Sequence, residues 1–182
     1  MTLNVTSVFQ LTRACESLLL AASGGNHDPS HVVNIGSVGG QSVSYAANNP
    51  SCKRRTEPSF VQFACADAAR ARLSDLASKA AVAHLTRQQA AWYCRQGIVV
   101  NCIQPAVFPS KMTFDYQLKT DEGVEASMKS HPVGRYGSED DMAGMALFLS
   151  SRASAFMTGS VLNNDGGSAV IHGTENLPLP KL

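Results

Sequence analysis

The chain has 182 residues, 44% apolar and 16% charged, with 14 glycines, 8 prolines and a formal net charge of +1. That length fits one domain able to bury roughly two-thirds of its unfolded surface, and the near-neutral balance gives no broad electrostatic footprint for a nucleic acid. Its apolar stretches fall short of the ~20 residues of a membrane span. Thr2, Asn4, Thr6 and Ser7 break up any secretory leader, and Cys15, Cys52, Cys65, Cys94 and Cys102 include no CxxC pair, so neither a disulfide framework nor a metal site is indicated. The expectation is a soluble cytoplasmic protein.

From Met1 to Ala22, Leu3, Val8, Leu11, Cys15, Leu18 and Leu19 recur at helical spacing, and Ser23-Gly24-Gly25-Asn26 ends the helix. His31 to Gly36 is a short β-branched run that reads as a buried strand. A helix is predicted from about Leu76 to Gln96, then a strand over Ile98 to Ile103, closed by Pro105. Helices follow around 113–130 and 139–151, the latter capped by Ser138 with Asp141 three residues on. Gly159 to Asn164 makes a third strand before Asp165-Gly166-Gly167. Helices alternating with apolar strands build βαβ units and a parallel sheet. Such a sheet needs both faces covered, and something that should pair with the 31–36 strand is missing.

The stretch from about 42 to 74 does not fit the alternation. It holds Asn48-Asn49-Pro50, Lys53-Arg54-Arg55, Pro58 and an Ala/Arg tract from Ala64 to Arg72, and reads as an irregular insertion, either a lid, a solvated surface loop or an intrusion.

Five local patterns, in order, resemble the short-chain dehydrogenase/reductase family over about 1–41 and 75–168. Leu3 to Phe9 is similar to the helix after the family's fourth strand, whose Asn (here Asn4) supports a proton-relay water. Val33 to Gly40 is similar to the strand bearing the substrate-orienting Ser (Ser37), and Ala77 to Val82 to the segment carrying the active-site Lys (Lys79). Asn101 to Pro105, and Thr158-Gly159 with Asp165-Gly166-Gly167, match the last two strands and their loops. Pro105 to Ser110 resembles the loop that grips the nicotinamide, which makes Lys79, Pro105, Phe108 and Ser110 cofactor-binding candidates. Ala106 stands where the family has Gly, and Ser110 where it has Thr.

The chemistry implied is hydride exchange with NADP or NAD at a carbonyl or alcohol carbon of a small molecule. A phenol supplies or takes the oxygen's proton; it titrates near ~10 when free, and a neighbouring ammonium lowers that. The family therefore sets Tyr four residues before Lys, on one helix face, and a Ser hydroxyl steadies charge on the substrate oxygen. Here Asp75 occupies the Tyr position. A carboxyl group titrates near ~4 and beside an ammonium stays ionised, so it donates no proton at neutral pH.

Two further departures accompany it. Ser37 precedes that position by 38 residues, where the family has about a dozen, and Tyr45, the nearby tyrosine, has Asn49 and not Lys four residues on. No GxGxxG, nor glycines at i, i+4, i+6, supply a pyrophosphate turn. One origin accounts for the first two. Cys52 as TGT followed by Lys53 as AAG reads T then GTAAG, a splice donor; Ser74 as TCA and Asp75 as GAT read CAG then AT, an acceptor. Joining T to AT writes TAT, a tyrosine codon, followed by Leu76, Ala77, Ser78 and Lys79, with 23 residues removed and Ser37 then 15 positions before the tyrosine.

Read singly, the residues have plainer roles: Asn4 as a helix cap, Ser37 as a strand end, Lys79 as a solvated cation, and the 105–110 stretch as a turn after a strand. Trp92 and Tyr93 read as packing residues, and the five histidines have no partner spacing. The expected fold is α/β, a partial doubly wound, Rossmann-like parallel sheet with the last three strands and their helices, residues 169–182 being a tail. The expected function is that of an NAD(P)H-linked oxidoreductase, truncated and impaired. The alternative is a non-catalytic fragment that joins an intact family subunit, or a second copy, through its long helices.

Overall fold

The computed structural model describes residues 2–41, 60–116 and 118–171. A π-helical turn (Thr2–Thr6) leads into α1 (Ser7–Ala14) and α2 (Glu16–Ala22), then β1 (Ser30–Ile35) and a 3₁₀ turn (Val38–Gly40). The long α3 (Phe60–Tyr93) precedes β2 (Ile98–Pro105). Next come α4 (Lys111–Tyr116), α5 (Asp121–Lys129), α6 (Glu139–Leu149), a 3₁₀ turn (Arg152–Ser154) and β3 (Val161–Asn164). The strands form one parallel sheet in the order β1-β2-β3, with Val32 opposite Val100 and Cys102 opposite Val161. The α/β, Rossmann-like expectation holds.

β2 is the central strand and reads as one because both its faces are covered and largely apolar: Ile98, Val100, Cys102 and Ile103 are fully buried. Val100 and Ile98 pack with Ala90 and Tyr93 of α3, and Leu19 and Val32 close over them. A polar seam crosses this interface, where Asn34 donates to Thr86 and to Gln89, each at 3.0 Å. Trp92, expected to pack, is 71% exposed, while its neighbour Tyr93 is in the core.

Several boundaries differ from expectation. The helix predicted from about Leu76 starts at Phe60, so 60–74 is helical and not irregular; alanine and arginine are among the best helix formers, and the tract over 64–72 is built of them. The segment 42–59, with Tyr45, Cys52 and the basic triplet, lies outside the described residues, as do 172–182. The predicted 113–130 helix is two helices, because Thr120 accepts from the Gly123 N–H (3.2 Å) and starts α5 afresh. The first helix breaks at Cys15. No helix among the described residues is long and apolar enough to cross a membrane.

The cap read at Ser138 is present as a full capping box. Asp141 accepts from the Ser138 backbone (2.7 Å) and Ser138 Oγ accepts from the Asp141 backbone (3.3 Å). Arg135 grips the same carboxylate through two nitrogens, at 2.6 and 3.0 Å. The Arg135 guanidinium, and then the Ser138 hydrogen bonds, hold Asp141 far below the ordinary carboxylate range. A depressed folded value means that this stabilisation is complete above the unfolded carboxylate value and is lost as pH falls through the folded one. Thermal melts on acidification below about pH 4 are therefore expected to fall more steeply for the wild type than for Arg135→Gln; parallel curves would contradict the assignment.

Candidate active site

The residues singled out in the sequence meet at the carboxyl end of the sheet, where ligands of open α/β sheets bind. Asn4, in the π-helical turn, donates from Nδ2 to Asp75 Oδ1 (3.0 Å) and to Ser78 Oγ (2.8 Å), while the Ser78 hydroxyl donates to the Asp75 carbonyl (2.6 Å). The carboxylate in the tyrosine position thus holds Asn4. Ser37 follows β1 in extended conformation and caps the 3₁₀ turn, its Oγ accepting from the Gly39 N–H (3.2 Å).

Close packing sets that turn against α3. A Cβ built on Gly40 would stand 2.6 Å from Ala80 N and 2.7 Å from Lys79 C, and one on Gly39 would stand 2.5 Å from Leu76 Cδ2. Only glycine lets the turn after Ser37 lie on the α3 backbone at 76–80. Lys79 is half-buried there. Burial pushes the Cys102 thiol up; among the opposing effects are a Gly36 backbone hydrogen bond, the Thr86 side chain and the positive charge of Lys79.

The loop after β2 is built separately. Thr113 Oγ1 accepts from the Ser110 N–H (2.7 Å) and donates to the Phe108 carbonyl (2.6 Å), and the Gly137 N–H reaches the Val107 carbonyl (2.9 Å). Pro105 ends β2, bringing the loop alongside Ser37, since Gly36 and Gln104 are neighbours across β1 and β2. Asn4, Ser37, Asp75 and Lys79 therefore share one end of the molecule with Pro105, Phe108 and Ser110.

Sequence reasoning missed three contributors: Ser78, the link between Asn4 and α3; Gly40; and Gln104. Gln104 is fully buried, leans over Gly36, and leaves both amide atoms without a hydrogen-bond partner. The Gly39-Gly40 pair and the Ser immediately before Lys79 were the available signals. For Gln104 the signal was a polar residue near the end of a largely apolar strand.

The phosphate end of a dinucleotide finds no cradle among the described residues. The turn after β1 is packed onto α3, and the glycine turn after β3 is filled by its own Asp165, which accepts from the Gly167 and Ala169 N–H groups, each at 2.9 Å.

Comparison with known proteins places the sequence and the fold. The family model described as enoyl-(acyl carrier protein) reductase matches residues 76–169. The rhamnolipids biosynthesis 3-oxoacyl-[acyl-carrier-protein] reductase of Pseudomonas aeruginosa is 36% identical over 92% of this chain and 55% of its own length. Galactitol 2-dehydrogenase (L-tagatose-forming) of Cereibacter sphaeroides is 33% identical over 93% of this chain and 56% of its own. The solved P. aeruginosa RhlG/NADP active-site complex superposes with a TM-score of 0.71 at 33% identity, covering 92% of this chain and 57% of RhlG. The chain thus spans about half the length of the curated relatives it matches. A matching family model over half the chain, a relative 36% identical over 92% of it, and a parallel sheet that superposes on RhlG make this chain a member of the short-chain dehydrogenase/reductase family.

Proposed function

We propose that this chain corresponds to the C-terminal half of an NAD(P)H-dependent cytoplasmic oxidoreductase that reduces a small carbonyl compound or oxidises the matching alcohol, and that the 182-residue polypeptide itself is catalytically impaired. The observation carrying the reading is Asp75: it stands four residues before Lys79, in the place of the phenol, and is bound to Asn4. In the competent site, Asn4 holds the relay water, Ser37 the substrate oxygen and Lys79 the cation that lowers the phenol's pKa. In this chain a carboxylate stands where the proton donor is expected, and the described residues build no phosphate cradle, so no step is assigned through the dinucleotide. Titrating the purified chain with NADPH or NADH is expected to give no saturable binding and no carbonyl-dependent oxidation of cofactor. Turnover at an ordinary enzymatic rate overturns the reading.

The replacement has a concrete origin in this reading. The segment from Cys52 to Ser74 is an intrusion left by an unspliced intron, and its removal writes tyrosine at the Asp75 codon. Sequencing transcripts across this region is expected to find a species 23 codons shorter that encodes tyrosine before Leu76; a single continuous message contradicts it.

A second reading is favoured by the apolar surface of the helices, where Leu11, Leu18 and Trp92 are 68%, 70% and 71% exposed. Isolated apolar residues are ordinary, and three such large ones on the helices support an association with an intact family subunit or a second copy. Co-purification with a full-length relative, without nucleotide binding, supports this second reading.

A further inference from the structure

We propose that Gly137 is a positioning residue: it seats the Phe108 ring and thereby fixes the loop after β2, which carries Phe108 and Ser110. The loop's bearing on chemistry rests on the oxidoreductase reading; the contact itself does not. The backbone at Gly137 does not call for glycine, since positive φ occurs at Gly134 but not here. Its neighbour does. A Cβ built on Gly137 would overlap Phe108 Cε1 and Cζ and stand 2.8 Å from Cδ1. The half-buried Phe108 ring therefore occupies the space that a side chain at 137 would take.

Both sides of this contact are tied down. On the loop side, the Val107 carbonyl accepts from the Gly137 N–H (2.9 Å) and the Phe108 carbonyl from Thr113 Oγ1 (2.6 Å), while the Ser110 N–H donates to the same Oγ1 (2.7 Å). On the other side, Arg135 and Ser138 hold the Asp141 carboxylate from either flank of Gly137. Asn164 closes the circuit: its carbonyl accepts from the Ala106 N–H (3.1 Å), and its Nδ2 donates to the Asp141 carbonyl (3.0 Å). β3, the start of α6 and the loop are thus bonded in a ring, with Phe108 packed where the loop meets the approach to α6. A methyl group at 137 would push apart the two segments that the Gly137–Val107 bond holds together, so that bond is what gives. Phenylalanine at 108 and glycine at 137 are a matched pair, in which bulk on one side requires its absence on the other.

Amide exchange followed by NMR in the full chain tests the pairing. Gly137→Ala is expected to speed exchange at position 137 and at Ser110 by at least about tenfold, and by a larger factor than at Val100 in the core. Phe108→Leu, which takes away the ring edge, is expected to speed Ser110 by about threefold alone and, combined with Gly137→Ala, to bring Ser110 back to near that lower rate. Gly144→Ala adds a Cβ with nothing within 4 Å and is expected to leave Ser110 unchanged. Wild-type exchange at Ser110 in Gly137→Ala, with only the Phe108 ring signals shifted, would show that the ring turns aside while the loop stays, and overturns the proposal. Absence of rescue in the double variant, or equal acceleration at Ser110 and Val100, overturns it in favour of a general loss of stability. Should Gly137→Ala alone not fold, the double variant decides: folded, with Ser110 at the Phe108→Leu rate, it supports the matched pair, and unfolded it contradicts it. None of these rates depends on turnover, so failure of the oxidoreductase reading shows separately, in the cofactor titration.

Discussion

Replacing Gly40 with alanine is expected to cost the fold about 3 kcal/mol, at the upper end of what overpacking a core usually costs, and to lower the melting temperature by roughly 5–10 °C. The added methyl group would stand 2.6 Å from Ala80 N and 2.7 Å from Lys79 C. Both are backbone atoms inside a helix, so neither can rotate away, and the Ser37 turn must lift off α3. Lifting it separates Ser37 from Lys79, which the sheet and the helix otherwise hold at one end of the molecule. Gly144, in α6, is the control: a Cβ there meets nothing within 4 Å, and Gly144→Ala is expected to stabilise by up to about 1 kcal/mol through helix propensity. Thermal melts of the two variants beside wild type make the comparison. A Gly40→Ala protein melting with wild type would mean that the turn does not depend on this contact.

The parts of the molecule written in one local stretch were legible in the sequence, and the parts that need two stretches were not. β1 and β2 are contiguous runs rich in β-branched residues, and Ser138 with Asp141 belongs to a four-residue motif, so each came out close to where the residues put it. The Ala/Arg tract over 64–72 misled because its odd setting, between a basic triplet and a family motif, outweighed its plain helix propensity. Ser37 and Lys79 were visible as motif residues, but what sets their spacing, Gly40 against the backbone of residues 79 and 80, joins positions some forty apart in sequence. The same holds for Asn4, where the sequence suggested a relay role and the structure shows the side chain held by Asp75 and Ser78, more than seventy positions away.

Asn101→Ala is expected to cost about 2–5 kcal/mol, because this one side chain closes two backbone groups at once. Asn101 is 1% exposed; its Nδ2 donates to the Met157 carbonyl (2.8 Å) and its Oδ1 accepts from the Ser160 N–H (3.0 Å). Truncation leaves both partners unmade and opens a void under β2. The segment it clamps delivers β3 to the sheet: the Ser160 carbonyl accepts from Cys102 N–H (2.9 Å), and at the far end of the strand the Asn164 carbonyl accepts from Ala106 N–H (3.1 Å). Through that last bond the position of β3 bears on the loop carrying Phe108 and Ser110, so faster amide exchange at Ala106 is expected along with the lowered denaturation midpoint. Thr158→Ala removes a single hydrogen bond, from Val100 N–H to Thr158 Oγ1 (3.1 Å), and is expected to cost nearer 1 kcal/mol. Equal losses in the two variants would show that Asn101 acts as one hydrogen bond and no more. A loss confined to stability, with Ala106 exchanging as in wild type, would show that the clamp holds β3 without governing the loop.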